Sequence, residues 1–212
     1  MVDSLEGTVN FFKVGLELYT ATGMDFVREL LARKKRIFLD LKCYDVGETV
    51  KRAVRVAAEI GVDFLTVHGN REILQGAVEG RGTSQLKLLA VTVLTNLNAA
   101  DIHEMGFQCD VEKLVLWRAR QAMECGCDGV ISSPRESALI KQETGNKLLV
   151  VTPGIRPLGA ALQDHKRSAD PKTAIESGSD YLVVGRPITG APDAKQAADE
   201  IIAEMQKGFD AQ

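Results

Sequence analysis

An α/β fold, a barrel of parallel strands alternating with helices, is what this sequence predicts, on three observations. Seven short apolar runs rich in Val, Leu, Ile and Phe alternate with longer amphipathic stretches, the pattern of buried parallel strands and their covering helices. The phrases EIGVDFLTV, ECGCDGVIS and ESGSDYLVVG repeat one order of acidic residue, turn glycine, aspartate and apolar strand, so one supersecondary unit recurs along the chain. The G-x-G-x-x-G that opens a dinucleotide-binding sheet is absent, which favours a barrel over a doubly wound open sheet.

Taken in order, the first strand is read at 10–14 and the first helix at 24–32. A strand at 36–42 precedes a helix at 47–60, which stops where Gly61 follows Ile60, a glycine placed for a left-handed C-terminal cap. Strand 64–68 and helix 71–79 follow, then strand 87–94 and a helix at 111–124 that ends before Gly126. Strands 129–132 and 147–152 flank a helix at 136–143. Asp170 before Pro171 is an N-cap followed by proline in the first turn, opening a helix at 171–177 that Gly178 closes. Strand 181–185 and helix 192–206 complete the series.

A closed barrel of this kind has eight strands, and the sequence displays seven. The expectation is therefore a (β/α)8 TIM barrel lacking its first strand, because either the natural chain starts about 20 to 30 residues earlier, the length of one strand and one helix, or the barrel is unusual. Without that strand, the first and last strands keep unpaired edges.

The 212 residues suit one domain, 1–212, and 45% hydrophobic with 26% charged residues is the composition of a packed chain. A net charge of −3 supplies no field to draw in nucleic acid or an anionic membrane, so a phosphate partner would be held locally. MVDSLEG is not a secretion signal and no long apolar run occurs, which makes the cytoplasm the expected compartment. Cys43, Cys109, Cys125 and Cys127 have no C-x-x-C spacing and read as reduced thiols.

The densest charged cluster in an apolar setting is IFLDLKCYDVGET. Strand alternation puts Asp40 and Lys42 on one face, and Asp45 just beyond in the loop. Buried charges are costly unless paired or used, so an aspartate and a lysine turned inward at a barrel mouth point to a functional cluster rather than a structural ion pair. Lys13 in NFFKVG joins that cluster if it too points inward. TPGIR, with Arg156, and Gly185-Arg186-Pro187 follow the last two strands, where such barrels cradle phosphate with backbone N–H groups and a short helix. Arg186 can give two charge-assisted hydrogen bonds and Gly185 permits close backbone approach. His165 lies in the loop after TPGIR and could close over phosphate. His68, at a strand end, is open to either a pocket or a packing role, and His103 sits in a helix-like stretch. No histidines have zinc-ligand spacing, and no metal site is expected.

FKVGLEL, FLDLKCYDVGETV, AVTVLTN, VTPGIRP and DYLVVGRPIT, in this order and at these separations, resemble the orotidine 5′-phosphate decarboxylase family from about Asn10 to the C-terminus. The resemblance implies a (β/α)8 barrel and a homodimer with active sites at the subunit interface. It further implies conversion of orotidine monophosphate to uridine monophosphate with no cofactor. By it, Lys42 donates the proton to C6 of the pyrimidine, Asp40 sits by the leaving carboxylate, and Lys13 binds ribose and orients Asp40. Asp45 and Thr49 would reach into the partner's site, Thr95 would contact the pyrimidine, and Pro153, Gly185 and Arg186 would lie on the phosphate side. The chain departs from the family pattern in lacking an initial strand with a ribose-binding aspartate, and in carrying His165, Asn96, Val46 and Gly47 where glutamine, serine, isoleucine and proline are frequent. The alternatives are a Mg²⁺-dependent sugar-phosphate lyase with a similar D-x-K-x-x-D cluster, and a noncatalytic nucleotide-binding barrel.

Overall fold

The computed structural model describes residues 1–157 and 168–211. Its strands are β1 (Phe11–Gly15), β2 (Arg36–Cys43), β3 (Phe64–Val67), β4 (Lys87–Val91), β5 (Gly129–Ile131), β6 (Leu149–Thr152) and β7 (Tyr181–Leu182). They form one parallel sheet in the order β1 to β7, each strand beside the next in sequence. The helices are α1 (Leu16–Ala32), α2 (Gly47–Ile60), α3 (Arg71–Arg81), α4 (Ala99–Glu104), α5 (Val111–Cys125), α6 (Ser137–Thr144), α7 (Pro171–Glu176), α8 (Arg186–Thr189) and α9 (Ala194–Phe209).

All seven expected strands are present, but β4 and β7 stop short of the expected ends at 94 and 185 because the chain turns there into the loop that carries Thr95 and into the segment that leads to α8, which Arg186 opens. The first helix begins at Leu16 rather than at 24, and Gly23, with φ 67 and ψ −163, breaks it into two segments. Gly61, Gly126 and Gly178 all take left-handed φ values after their helices, as their positions predict, and Asp170 caps α7 by accepting from the Thr173 N–H. His103 lies within α4.

The sheet curls. Phe11 on β1 and Tyr181 on β7, at opposite edges, bring their ring centroids within 6.0 Å, and Phe64 on β3 meets Tyr181 at 5.0 Å. Phe38, Phe64, Leu89, Val91, Ile131 and Val151 fill the inside of the curl, while a larger apolar layer joins the outer face to the helices. α2 and α3 pack backbone to backbone, since a Cβ on Gly76 would stand 2.5 Å from the Gly47 carbonyl oxygen and one on Gly80 2.2 Å from that of Lys51.

The recurring aspartate of the sequence repeat has a structural task. Asp63, Asp128 and Asp180 each precede a strand, donate a backbone N–H to the carbonyl of Ile37, Leu88 or Val150 on the neighbouring strand, and accept that residue's N–H in return on the carboxylate, at 2.8, 2.9 and 2.6 Å. Each carboxylate also pairs with a cation, Arg36, Arg81 or Lys141 respectively. Three double-ended clamps therefore hold the strand starts in register, leaving the strand ends to the site. All four cysteines are free thiols, and burial pushes the Cys127 thiol up to about 12. Among the described residues, no helix is long and apolar enough to cross a membrane.

Candidate active site

β1 and β2 pair with Val14 beside Leu39 and Gly15 beside Asp40, so Lys13 and Asp40 share the inner face with Phe11 and Phe38. β2 and β3 run in step to Leu39 and Leu65, after which the register slips, and Cys43 next pairs with Val67. Four positions of β2 thus span two of β3, and Lys42 sits in the slip with φ 51, in the left-handed region that a lysine seldom adopts. The bulge aims its side chain back at the cluster. Lys42 Nζ donates to Asp40 Oδ1 at 2.8 Å, and Lys13 Nζ lies 3.3 Å from Asp40 Oδ2. One carboxylate, its side chain 13% exposed, stands between two ammonium groups.

Across a cavity of about 350 Å³ from this cluster lie Thr95 and Asn96 after β4, Pro153 and Arg156 after β6, and Gly185 and Arg186 after β7. Arg156 is buried, its Nη1 donating to the Ile155 carbonyl, while its backbone N–H binds Ala169. Gly185 caps α8 and Arg186 begins it. The structure thus gathers Lys13, Asp40, Lys42, Thr95, Pro153, Arg156, Gly185 and Arg186 around one space.

Asp45 and Thr49 are not around it. Asp45 is exposed, its carboxylate accepting the N–H of Val46 at 2.7 Å, and lines a shallow groove with Tyr44, Asn70 and Glu72. Thr49 stands in the first turn of α2. His165 lies outside the described residues.

Residues 1–201 match the Orotidine 5′-phosphate decarboxylase / HUMPS family. The chain belongs to that family. The Orotidine 5′-phosphate decarboxylase of Nitrobacter winogradskyi is 54% identical over 205 residues, covering 97% of this chain and 85% of that protein. That of Caulobacter sp. strain K31 is 48% identical, covering 97% and 90%. The crystal structure of Orotidine 5′-phosphate decarboxylase from Lactobacillus acidophilus superposes with a TM-score of 0.84 at 38% identity, covering 96% of this chain and 91% of that one.

For a member of the orotidine 5′-phosphate decarboxylase / HUMPS family, the electrostatics of this cavity are informative. Burial alone pushes the Asp40 carboxyl up. The Lys42 hydrogen bond and charge, the Lys13 charge and the Thr66 hydrogen bond outweigh it and hold the carboxyl below its ordinary value. Asp40 is therefore an anion throughout the neutral range. His68 does not line the cavity. It packs edge-on against Tyr44 at 5.3 Å, with Nδ1 buried and unpartnered among the described residues. Burial, then the charges of Arg118 and Lys42, lower its pKa. Sequence reasoning missed Thr66, which donates to Asp40 Oδ1 at 3.0 Å. Counting two residues on from the inward Phe64 would have found it.

Proposed function

We propose that this chain is an orotidine 5′-phosphate decarboxylase, a lyase of pyrimidine biosynthesis acting in the cytoplasm and releasing uridine 5′-phosphate and carbon dioxide. The observation that carries the reading is the Lys13–Asp40–Lys42 alternation facing Arg156, Gly185 and Arg186 across one cavity. In the proposed reaction, the bond from C6 to the carboxyl carbon breaks and its electron pair stays on C6. CO₂ leaves past Asp40, and an N–H proton of Lys42 moves to C6. The neutral amine left behind regains a proton from water. A fixed ammonium at C6 stabilises the developing carbanion and then quenches it, so this scheme calls on no metal or organic cofactor.

In the same reading, Thr95 meets the pyrimidine, and Lys13 holds Asp40 and the ribose. Pro153, Gly185, Arg186, Arg156 and His165 form the phosphate side, whose binding energy helps to assemble the charged end. Asp45 and Thr49, exposed and half-buried outside the cavity, serve the site of a second copy in a homodimer. The seven strands belong to one domain and are seven of the eight of a (β/α)8 barrel. A cavity of about 290 Å³, lined from β1 by Phe11 and Phe12 and from β7 by Tyr181 and Leu182, separates the two edge strands and supports the reading of a further strand between them.

The deciding experiment incubates the purified protein with orotidine monophosphate and EDTA and follows the loss of orotate absorbance. Turnover is expected. Binding of uridine monophosphate without turnover would mark a noncatalytic barrel, and turnover of a phosphorylated keto sugar that requires Mg²⁺ would mark a sugar-phosphate lyase.

A further inference from the structure

Where β2 slips past β3, the backbone ladder between them is interrupted. An amide in such a gap needs another acceptor or is left buried and unpaired. The amide of Lys42 finds one in a side chain, donating to Thr66 Oγ1 at 2.8 Å. The Thr66 hydroxyl has a single proton and gives it to Asp40 Oδ1 at 3.0 Å. That same oxygen accepts from Lys42 Nζ at 2.8 Å. A closed circuit results, running from the Lys42 amide through the hydroxyl and the carboxylate and back to the ammonium of the same lysine.

Thr66 is fully buried, with 0% exposure, so no solvent stands by to replace it. It is also placed to hold Lys42 at φ 51, a backbone state that carries strain and persists only where its surroundings fix it.

We propose that Thr66 is a positioning residue for the decarboxylation, its hydroxyl locking the backbone of Lys42 to the carboxylate of Asp40 and so fixing the ammonium against the reacting carbon. This rests on the function proposed above. Thr66 touches no substrate in this scheme. It acts by setting where two groups that do touch substrate stand, and the tolerance for such placement is well below an ångström.

The test compares Thr66→Val, which keeps the shape and removes the hydroxyl, with Thr66→Ser, which keeps the hydroxyl. In Thr66→Val, kcat is expected to fall about 10- to 100-fold, the loss of one hydrogen bond to a charged group, while affinity for uridine monophosphate stays within about threefold because the phosphate side is untouched. The acid limb of the kcat profile moves to higher pH, since Asp40 loses a donor that favours its ionised form. Thr66→Ser restores both. Equal impairment of Val and Ser variants would make Thr66 a packing residue and overturn the proposal, as would wild-type kcat in Thr66→Val.

Should Thr66→Val fail to fold, Thr66→Cys against Thr66→Ser makes the same comparison, with a weak thiol donor in place of a hydroxyl. Cysteine matching serine in kcat would then overturn it. A readout independent of turnover is the Asp40 carboxyl titration followed by NMR in the free protein, expected to move up in Thr66→Val. Wild-type protein that leaves orotidine monophosphate intact would sink the proposed function, yet the titration would still decide whether the hydroxyl governs Asp40. An unmoved titration counts against Thr66 alone.

Discussion

A carboxylate between two ammonium groups is held in its charged form by its neighbours, and the sign of the effect decides how it shows. Asp40 has a depressed pKa despite burial, so its contribution to stability is present above the unfolded-state value and lost as pH falls through the folded one. Both limits lie below about pH 4. Urea midpoints measured from pH 7 downward should show part of the acid loss in the wild type and not in Asp40→Asn; parallel curves would refute the clamp. Lys42→Ala should nearly abolish product formation while leaving uridine monophosphate bound, because it removes the proposed proton donor and spares the proposed phosphate side. Kinetic retention of turnover would contradict the donor role. Arg186→Ala should instead weaken binding by roughly 2 to 4 kcal/mol, the loss expected for a charged hydrogen-bonded contact. The loss should disappear when uridine replaces uridine monophosphate as the titrant.

At the scale of elements, the aspartate clamps divide labour along each strand: starts hold register, ends hold chemistry. Asp128→Ala strands the Leu88 N–H and takes the ion-pair partner from Arg81, which should lower the unfolding free energy by about 1 to 3 kcal/mol. kcat should not change, since the clamp lies at the end of the sheet remote from the cavity; a large fall in kcat with intact stability would show that register, not chemistry alone, sets the site. This division was half legible in the sequence. The repeat of acidic residue, glycine, aspartate and strand was visible as a pattern, and the seven strands with it, because burial on both faces imposes short unbroken apolar runs. The partners of the aspartates were not, since a clamp joins residues up to 47 apart in sequence. At the strand ends, Lys13, Asp40 and Lys42 were readable because charges in apolar runs stand out, whereas a threonine in FLTV does not. The register slip that orients Lys42 was unreadable for a further reason: simple alternation already put Asp40 and Lys42 on one face, so nothing in the spacing demanded a bulge.

At the scale of the whole molecule, the cavity holds two lysines, Lys13 and Lys42, and one aspartate, Asp40, while Asp45 lines a groove of its own. If two copies complete one another, as proposed above, Asp45 of each supplies a second acid at the site of the other. Lys42→Ala and Asp45→Ala are then each inactive alone, yet their mixed dimer contains one site with Lys42 from one subunit and Asp45 from its partner, both intact. Random exchange of equal amounts makes half of the dimers mixed, with one of two sites restored, so activity should recover to about a quarter of wild type for a twofold-symmetric dimer. Recovery should follow the exchange time and vanish when the two variants are kept apart by covalent linkage into homodimers. If Asp45 instead folded back into the cavity of its own chain, each mixed dimer would carry one lesion per site, and mixing would restore nothing.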